Sequence, residues 1–196
     1  MTYPVVGIGA SAGGLEAVSG LLSGLCSNIG MALVLIQHLH PDHPSLLAEI
    51  LAKRVALPVL QAQDGVAVEP DHLYVIPPNT SISLSDGRLY LAARAADRTA
   101  HKPIDVFFKS LAEECGRNAI GVVLSGTGSD GTRGLQDIRR LGASPLQRSP
   151  SRPPLPTCRE TPSTRAAWIS YCRRRRLAGR SSGSANAWIP KQNLRN

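Results

Sequence analysis

The sequence predicts an α/β domain built on a doubly wound, mainly parallel β-sheet with helices on its faces, and three observations lead to this prediction. Over residues 1–143, short apolar runs alternate with amphipathic stretches, which is typical of α/β domains. The runs at 31–37 and 119–124 consist almost wholly of apolar residues and glycine, as expected of strands that are covered by protein on both faces. A glycine-rich turn joins the first apolar run to the first amphipathic stretch.

Each predicted element follows from its own residue pattern. Apolar residues recur at helical spacing between Leu15 and Leu22, and Pro44 suits the first turn of a second helix. The pair Asp86-Gly87 between two alternating segments indicates a hairpin. The predicted order corresponds to a three-layer, Rossmann-like arrangement. Strands are predicted over residues 5–8, 31–37, 57–60, 73–76, 81–84, 88–91 and 119–124, and helices over residues 13–23, 43–54, 104–115 and 132–141.

The charge of the chain is divided unevenly along its length. The 196 residues include 22 Lys+Arg and 14 Asp+Glu, a formal net charge of +8. Residues 1–143 hold 11 basic and 13 acidic residues, whereas residues 144–196 hold 11 basic residues and one acid, Glu160. The second part also has seven prolines and four consecutive arginines, and its apolar residues have no periodicity. We predict a folded domain over 1–143 and a basic, Pro/Arg-rich tail over 144–196.

Two interpretations of this tail differ in function. A basic tract could bind nucleic acid or a membrane surface, in which case affinity should fall steeply with salt. The alternative is that residues 144–196 are disordered or result from a change of reading frame. We favour the second, and therefore expect no nucleic-acid partner.

Compartment and cofactor use follow from what the sequence lacks. It has neither an eighteen-residue apolar run nor a basic segment leading into an apolar N-terminal stretch, so a cytoplasmic protein is expected. The cysteines, Cys26, Cys115, Cys158 and Cys172, have no CxxC spacing. Reduced thiols and no metal or other cofactor are expected, with the first two cysteines as small core residues.

The glycine-rich turn over residues 7–14 fits two short motifs. Its GxGxxG/A pattern is that of a dinucleotide-binding turn, in which backbone amides approach a pyrophosphate. Residues 9–13 also fit GxSxG, which exposes the hydroxyl of Ser11 beside helix-terminal N–H donors. The dinucleotide motif requires an acid at the end of the second strand, where this chain has His38. A neutral imidazole there suits a general base.

Three residues with complementary chemistry follow predicted strand ends. Ser11, His38 and Asp130 each lie just beyond a strand, and in parallel sheets functional groups collect at that edge. A nucleophile, base and orienting acid is therefore predicted. The alternatives are that Asp130 merely caps the helix that follows it, that His38 is structural, or that His40 or His43 is the relevant imidazole.

Five segments, in order, closely resemble the CheB-type protein-glutamate methylesterase domain of bacterial chemotaxis systems. They lie within residues 4–142 and comprise 6–14, 36–38, 64–65, 74–79 and 124–131. The resemblance implies that the family's catalytic serine, histidine and aspartate correspond to Ser11, His38 and Asp130. The chain order Ser, His, Asp also differs from the Ser, Asp, His order of α/β-hydrolases.

This resemblance implies an activity and a partner. The family hydrolyses glutamate γ-methyl esters on methyl-accepting chemoreceptors and deamidates receptor glutamines, so the chain would be peripheral to membrane receptors without entering the membrane. The Ala12 backbone N–H, at a helix start, is the expected oxyanion donor. Thr127 lies near that site, at a position where chemotaxis members often carry methionine.

The resemblance also implies that the domain is incomplete. Family members continue past Gly142 with a strand and a Gln-Asp-Pro…Gly-Met-Pro segment that this sequence lacks, and we attribute the loss to a frameshift. Residues 42–49 and 101–105 are more similar to members fused to a methyltransferase domain, and we expect no phosphate-accepting receiver domain before residue 4. A catalytically impaired fragment and a nucleotide-binding module that uses residues 7–14 therefore remain alternatives.

Overall fold

The computed structural model describes residues 1–11, 14–37, 45–94, 102–125, 129–141 and 144–147. Within them, the helices are α1 (Leu15–Leu22), α2 (Leu47–Ala52), α3 (Pro103–Cys115) and α4 (Thr132–Arg140), and a 3₁₀ turn spans Gly116–Asn118. The strands are β1 (Val5–Ala10), β2 (Ala32–Gln37), β3 (Val59–Gln61), β4 (Val66–Ala67), β5 (Leu73–Val75), β6 (Thr80–Ser85), β7 (Arg88–Ala93), β8 (Ala119–Ser125) and β9 (Ser144–Gln147).

The main sheet has six parallel strands, which confirms the predicted α/β class. Its strand order is β3-β5-β2-β1-β8-β9, and every neighbouring pair runs parallel. From β1 the chain moves to β2 on one side and later returns to β8 on the other side. Ligand crevices in open α/β sheets form at such a change of direction, at the carboxyl ends of the strands.

Helix α3 packs on one face of the sheet, against glycines of β1. A Cβ atom at Gly7 would lie 2.7 Å from Phe108 Cε1, and one at Gly9 would lie 2.7 Å from Ile104 Cγ2. These distances are shorter than van der Waals contact, so larger residues at either position would push α3 away from the sheet. Phe107 is buried beside Phe108 in the same core. The first two glycines of the glycine-rich turn therefore have a packing role.

The opposite face of the sheet is equally covered. Ile8 alternates with Gly7 and Gly9 along β1 and is fully buried. Val18 and Leu22 of α1, and the buried leucines of α2, supply the apolar surface for a second helical layer. The three-layer arrangement expected from the sequence is thus present.

A second, antiparallel sheet of order β4-β7-β6 packs on α3. Its hairpin turns at Asp86 and Gly87, whose φ angles of 47° and 70° are those of a type I′ turn. Glu114 of α3 accepts hydrogen bonds from both turn N–H groups at 3.1 Å. The Leu84 N–H donates to Ser110 Oγ, also on α3, at 3.0 Å. The predicted hairpin is confirmed, and α3 holds it in place.

Strand β9 extends the main sheet beyond residue 143, the predicted end of the folded domain. Residues 144–147 pair with residues 120–123 of β8, so they cover the edge that β8 would otherwise expose. The tail prediction for residues 148–196 lies outside the described residues. No helix in the described part of the chain is long and apolar enough to cross a membrane.

Two helical glycines differ in their surroundings, so the same substitution should have opposite effects. A Cβ atom at Gly134 of α4 would overlap the Cβ of Phe108, whereas one at Gly20 of α1 would meet nothing within 4 Å. Gly20→Ala should stabilise the fold by about 0.5–1 kcal/mol through helix propensity. Gly134→Ala should destabilise it by about 1–2 kcal/mol, because overpacking exceeds that gain. Urea midpoints from circular dichroism measure both, and a Gly134→Ala variant as stable as wild type would contradict the close packing.

The two cysteines of the described domain differ in exposure. Cys115 is buried in the core, as predicted, but Cys26 is exposed, so its assignment to the core is wrong. Cys26 follows α1 in the loop leading to β2, where its side chain meets solvent. Burial raises the pKa of the Cys115 thiol to about 11.

Only the thiolate reacts with alkylating agents, so Cys115 should resist iodoacetamide at pH 8 while Cys26 reacts. Peptide mass spectrometry distinguishes the two sites. Unfolding in urea should make both react, which serves as the control. Equal labelling of the two cysteines in the folded protein would contradict the burial of Cys115.

Candidate active site

Three neighbouring strands end together at one edge of the main sheet. Ala10, the last residue of β1, is paired in register with Gln37 at the end of β2 and with Ser125 at the end of β8. Adjacent strands lie about 4.8 Å apart. The residues that follow these three ends therefore start from one small region, at the change of direction of the sheet.

Ser11 is the first residue after β1, and its backbone forms the predicted strand-to-helix turn. The Gly14 N–H donates to the Ser11 carbonyl oxygen at 2.9 Å, and α1 begins at Leu15. This geometry places Ser11 close to the N-terminal end of α1, where the helix dipole and unpaired N–H groups favour negative charge.

Asp130 lies five residues beyond β8, and its carboxylate is bound to backbone N–H groups. Oδ2 accepts from the Ile104 N–H at 3.1 Å. Oδ1 accepts from the Asp105 N–H and the Gly131 N–H, each at 2.9 Å. Ile104 and Asp105 belong to the first turn of α3, so the carboxylate caps that helix from outside.

Asp130 is therefore a helix cap, but the helix that it caps is not the one named in the sequence-based alternative. The capped helix is α3, which precedes β8 in the chain, whereas α4 follows Asp130. Lys102, at the N-cap position of α3, provides no side-chain cap. Gly131 has a φ of 89°, a conformation that suits glycine, and this turn directs the chain into α4 immediately after Asp130.

Three backbone N–H groups, two from α3 and one from Gly131, hold the Asp130 carboxylate in a fixed orientation. A carboxylate fixed in this way is suited to orienting an imidazole. Lys102 Nζ donates to Ser129 Oγ at 3.2 Å, which joins the start of α3 to the residue before Asp130.

The other predicted site residues lie outside the described residues. They are His38, Ala12 and Thr127, together with the alternative histidines His40 and His43. The structure brings Ser11 and Asp130 to the ends of adjacent central strands. Within the described part of the chain, no three His, Cys, Asp or Glu side chains converge as metal ligands would.

One contact of the site, between α3 and α4, was not predicted from the sequence. Asp105, in the first turn of α3, accepts the Gly134 N–H through Oδ1 at 2.9 Å, and Gly134 lies in the first turn of α4. A sequence signal did exist. Neither Lys102 nor Gly131, the residues that precede the two helices, has a capping side chain, so the caps had to come from elsewhere.

Comparison with known proteins agrees with this architecture. The family model for the CheB methylesterase matches residues 6–152, about three quarters of the chain. The chain belongs to the CheB methylesterase family. The resemblance identified from five sequence segments is thus confirmed. In this CheB-family chain, the family match and strand β9 both extend past residue 143.

Individual relatives agree with the family assignment. A protein-glutamate methylesterase/protein-glutamine glutaminase of Yersinia pestis bv. Antiqua (strain Antiqua) is 38% identical over 146 residues, covering 72% of this chain and 42% of that protein. The protein of the same name from Escherichia coli (strain K12) is 37% identical over 143 residues, covering 71% and 41%. This CheB-family chain thus spans about two fifths of the length of these curated relatives.

A solved structure has the same fold. The CheB methylesterase catalytic domain of Thermotoga maritima aligns with a TM-score of 0.66 at 27% identity. The alignment covers 74% of this chain and 79% of that domain. The parallel sheet with flanking helices is therefore the CheB catalytic fold.

Proposed function

We propose that this chain is a protein-glutamate methylesterase that hydrolyses glutamate γ-methyl esters on chemoreceptors, and that Ser11, His38 and Asp130 form its catalytic triad. Deamidation of receptor glutamines would use the same residues. The observation that carries this proposal is the shared edge of β1, β2 and β8, because each proposed triad residue follows one of these strands. The protein would act in the cytoplasm, at receptors that are themselves in the membrane.

The proposed reaction proceeds through an acyl-enzyme. His38 takes the hydroxyl proton of Ser11 as Oγ attacks the ester carbonyl carbon, and the carbonyl oxygen becomes an oxyanion. The backbone N–H of Ala12, the residue that follows Ser11 in the chain, would stabilise that charge, a contribution of about 3 kcal/mol. Protonated His38 returns the proton to the departing methoxide, which leaves as methanol. Water then repeats the sequence on the acyl-serine and releases the glutamate carboxylate.

Asp130 would hold the imidazole in the required tautomer and stabilise the imidazolium. Its bonds to the first turn of α3 support this role. They keep the carboxylate in one orientation.

The packing of β1 disfavours the nucleotide-binding alternative. A pyrophosphate-binding turn needs its glycines so that a ligand can approach the backbone. Here Gly7 and Gly9 lie against Phe108 and Ile104 of α3, so the glycine pattern is explained without a ligand. NAD or ATP should therefore not raise the melting temperature of the protein.

The decisive experiment measures methanol release from a methylated receptor fragment by the 196-residue chain. A serine-reactive fluorophosphonate provides a second measurement. It should label Ser11, and labelling should fall sharply in His38→Ala. A folded protein that neither releases methanol nor reacts with the phosphonate would refute the proposal. Stabilisation by NAD or ATP in that protein would favour the nucleotide-binding alternative.

A further inference from the structure

Helices α3 and α4 cap each other through two aspartates. Asp130, immediately before the residue that precedes α4, accepts N–H groups from the first turn of α3. Asp105, in the first turn of α3, accepts the Gly134 N–H from the first turn of α4. The orientation of the Asp130 carboxylate therefore depends on both helix starts and on the distance between them.

The close approach of the two helices makes the second of these bonds possible. Gly134 has no side chain, and a Cβ atom there would overlap the Cβ of Phe108 on α3. Because α4 meets α3 at its own backbone, the Asp105 carboxylate can reach a main-chain N–H of α4 at 2.9 Å. Removing that carboxylate leaves the Gly134 N–H without this acceptor and loosens the junction that orients Asp130.

One oxygen of the Asp105 carboxylate lowers the stability of the fold. Its Oδ2 atom is buried and makes no hydrogen bond to any residue that the structure describes. A buried carboxylate oxygen without a partner costs free energy, and such groups are retained where they have a role. Asp105 acts through its Oδ1 atom, which accepts the Gly134 N–H of α4. The side-chain oxygen of an asparagine can accept the same N–H.

We infer that Asp105 is a positioning residue for the esterase reaction, which holds Asp130 in place by tying the first turn of α4 to the first turn of α3. This inference rests on the proposed function. Asp105 acts through Asp130 and takes no part in bond making or breaking.

The test compares Asp105→Ala and Asp105→Asn in the full chain. In Asp105→Ala, kcat for methyl ester hydrolysis should fall roughly 10- to 100-fold with little change in KM, a loss like that found at metal sites when a residue that orients a ligand is removed. The acid limb of the kcat/KM profile should also move to lower pH, because a displaced Asp130 stabilises the imidazolium less. Asp105→Asn keeps the Oδ1 acceptor, so its rate should stay within about threefold of wild type.

Glu114→Ala is the matched control, because Glu114 lies at the other end of α3 and its carboxylate likewise accepts backbone N–H groups, here two of them. It should lower the melting temperature and leave the pH profile unchanged. If Asp105→Ala does not fold, Asp105→Glu is the variant to measure. It keeps the charge, displaces the carboxylate by one methylene and should show the same shift of the acid limb. Asp105→Ala or Asp105→Glu variants with a wild-type acid limb would overturn the inference.

A measurement without substrate separates this inference from the proposed function. The amide resonance of Gly131, which is remote from position 105 in the sequence, reports its hydrogen bond to Asp130. It should shift in Asp105→Ala, and remain in place in Asp105→Asn and Glu114→Ala. If wild type has no esterase activity, the proposed function fails, and this shift still decides whether Asp105 positions Asp130. An unchanged Gly131 resonance in Asp105→Ala would refute that role.

Discussion

Replacing Ser11 with alanine should lower the rate of methyl ester hydrolysis by about a million-fold, the loss found when the nucleophile of a serine hydrolase triad is removed. The large effect follows from the covalent mechanism, because without Oγ no acyl-enzyme forms. Ser11 lies in the turn between β1 and α1, so the loss of one oxygen should leave the fold intact. Methanol release under saturating substrate measures the change.

Ser23→Ala is the matched control for this substitution. Ser23 is exposed at the end of α1, and its hydroxyl donates to the Gly20 carbonyl oxygen at 3.3 Å. This variant should hydrolyse the ester at the wild-type rate and retain phosphonate labelling at Ser11. A Ser11→Ala protein that still released methanol at more than about one hundredth of the wild-type rate would show that another residue is the nucleophile.

The fold could be predicted from the sequence because its signals are local. The strands at 5–10, 32–37 and 119–125 are nearly continuous apolar runs, and the Asp86-Gly87 turn has a conformation that its two residues favour. The same local reasoning placed Ser11 in a turn after β1. Strand β9 was missed because the polar and proline-containing segment 144–147 has no strand pattern of its own and forms by pairing with β8.

The parts that could not be predicted depend on contacts between distant residues. Asp130 looked like a cap for its own helix, since capping rules are written for neighbours in sequence. Which helix it caps is decided by the packing of α3 on Gly7 and Gly9, which brings Ile104 beside the end of β8. Cys26 was assigned to the core by residue type, although its loop position decides its exposure.

Asp130→Asn should have two separable effects, one on stability and one on the reaction. The amide keeps one acceptor oxygen and presents an NH₂ group where the other oxygen now accepts an N–H of α3. The loss of a charged cap should destabilise the fold by about 1–2 kcal/mol. Hydrolysis should fall by about ten-thousand-fold, as in serine proteases with the same substitution, because the imidazole adopts the wrong tautomer.

Asp71→Asn provides a control with the same chemistry at the opposite edge of the sheet. Asp71 Oδ1 accepts the Ile29 and Gly30 N–H groups at 2.6 Å each, just before β2 and β5 begin. Asparagine tolerates its φ of 65°, so this variant should lose a comparable amount of stability, measured by urea unfolding, while its kcat stays at the wild-type value.

The comparison of the two variants decides what Asp130 contributes. If both lose stability and only Asp130→Asn loses activity, the carboxylate acts on the imidazole as well as on α3. If Asp130→Asn is destabilised but hydrolyses ester at the wild-type rate per folded molecule, Asp130 is a helix cap alone. The triad would then need another orienting acid. The N–H groups of Ile104 and Asp105 hold the Asp130 carboxylate at the start of α3. The rate measurement shows whether proton transfer in the reaction depends on that carboxylate.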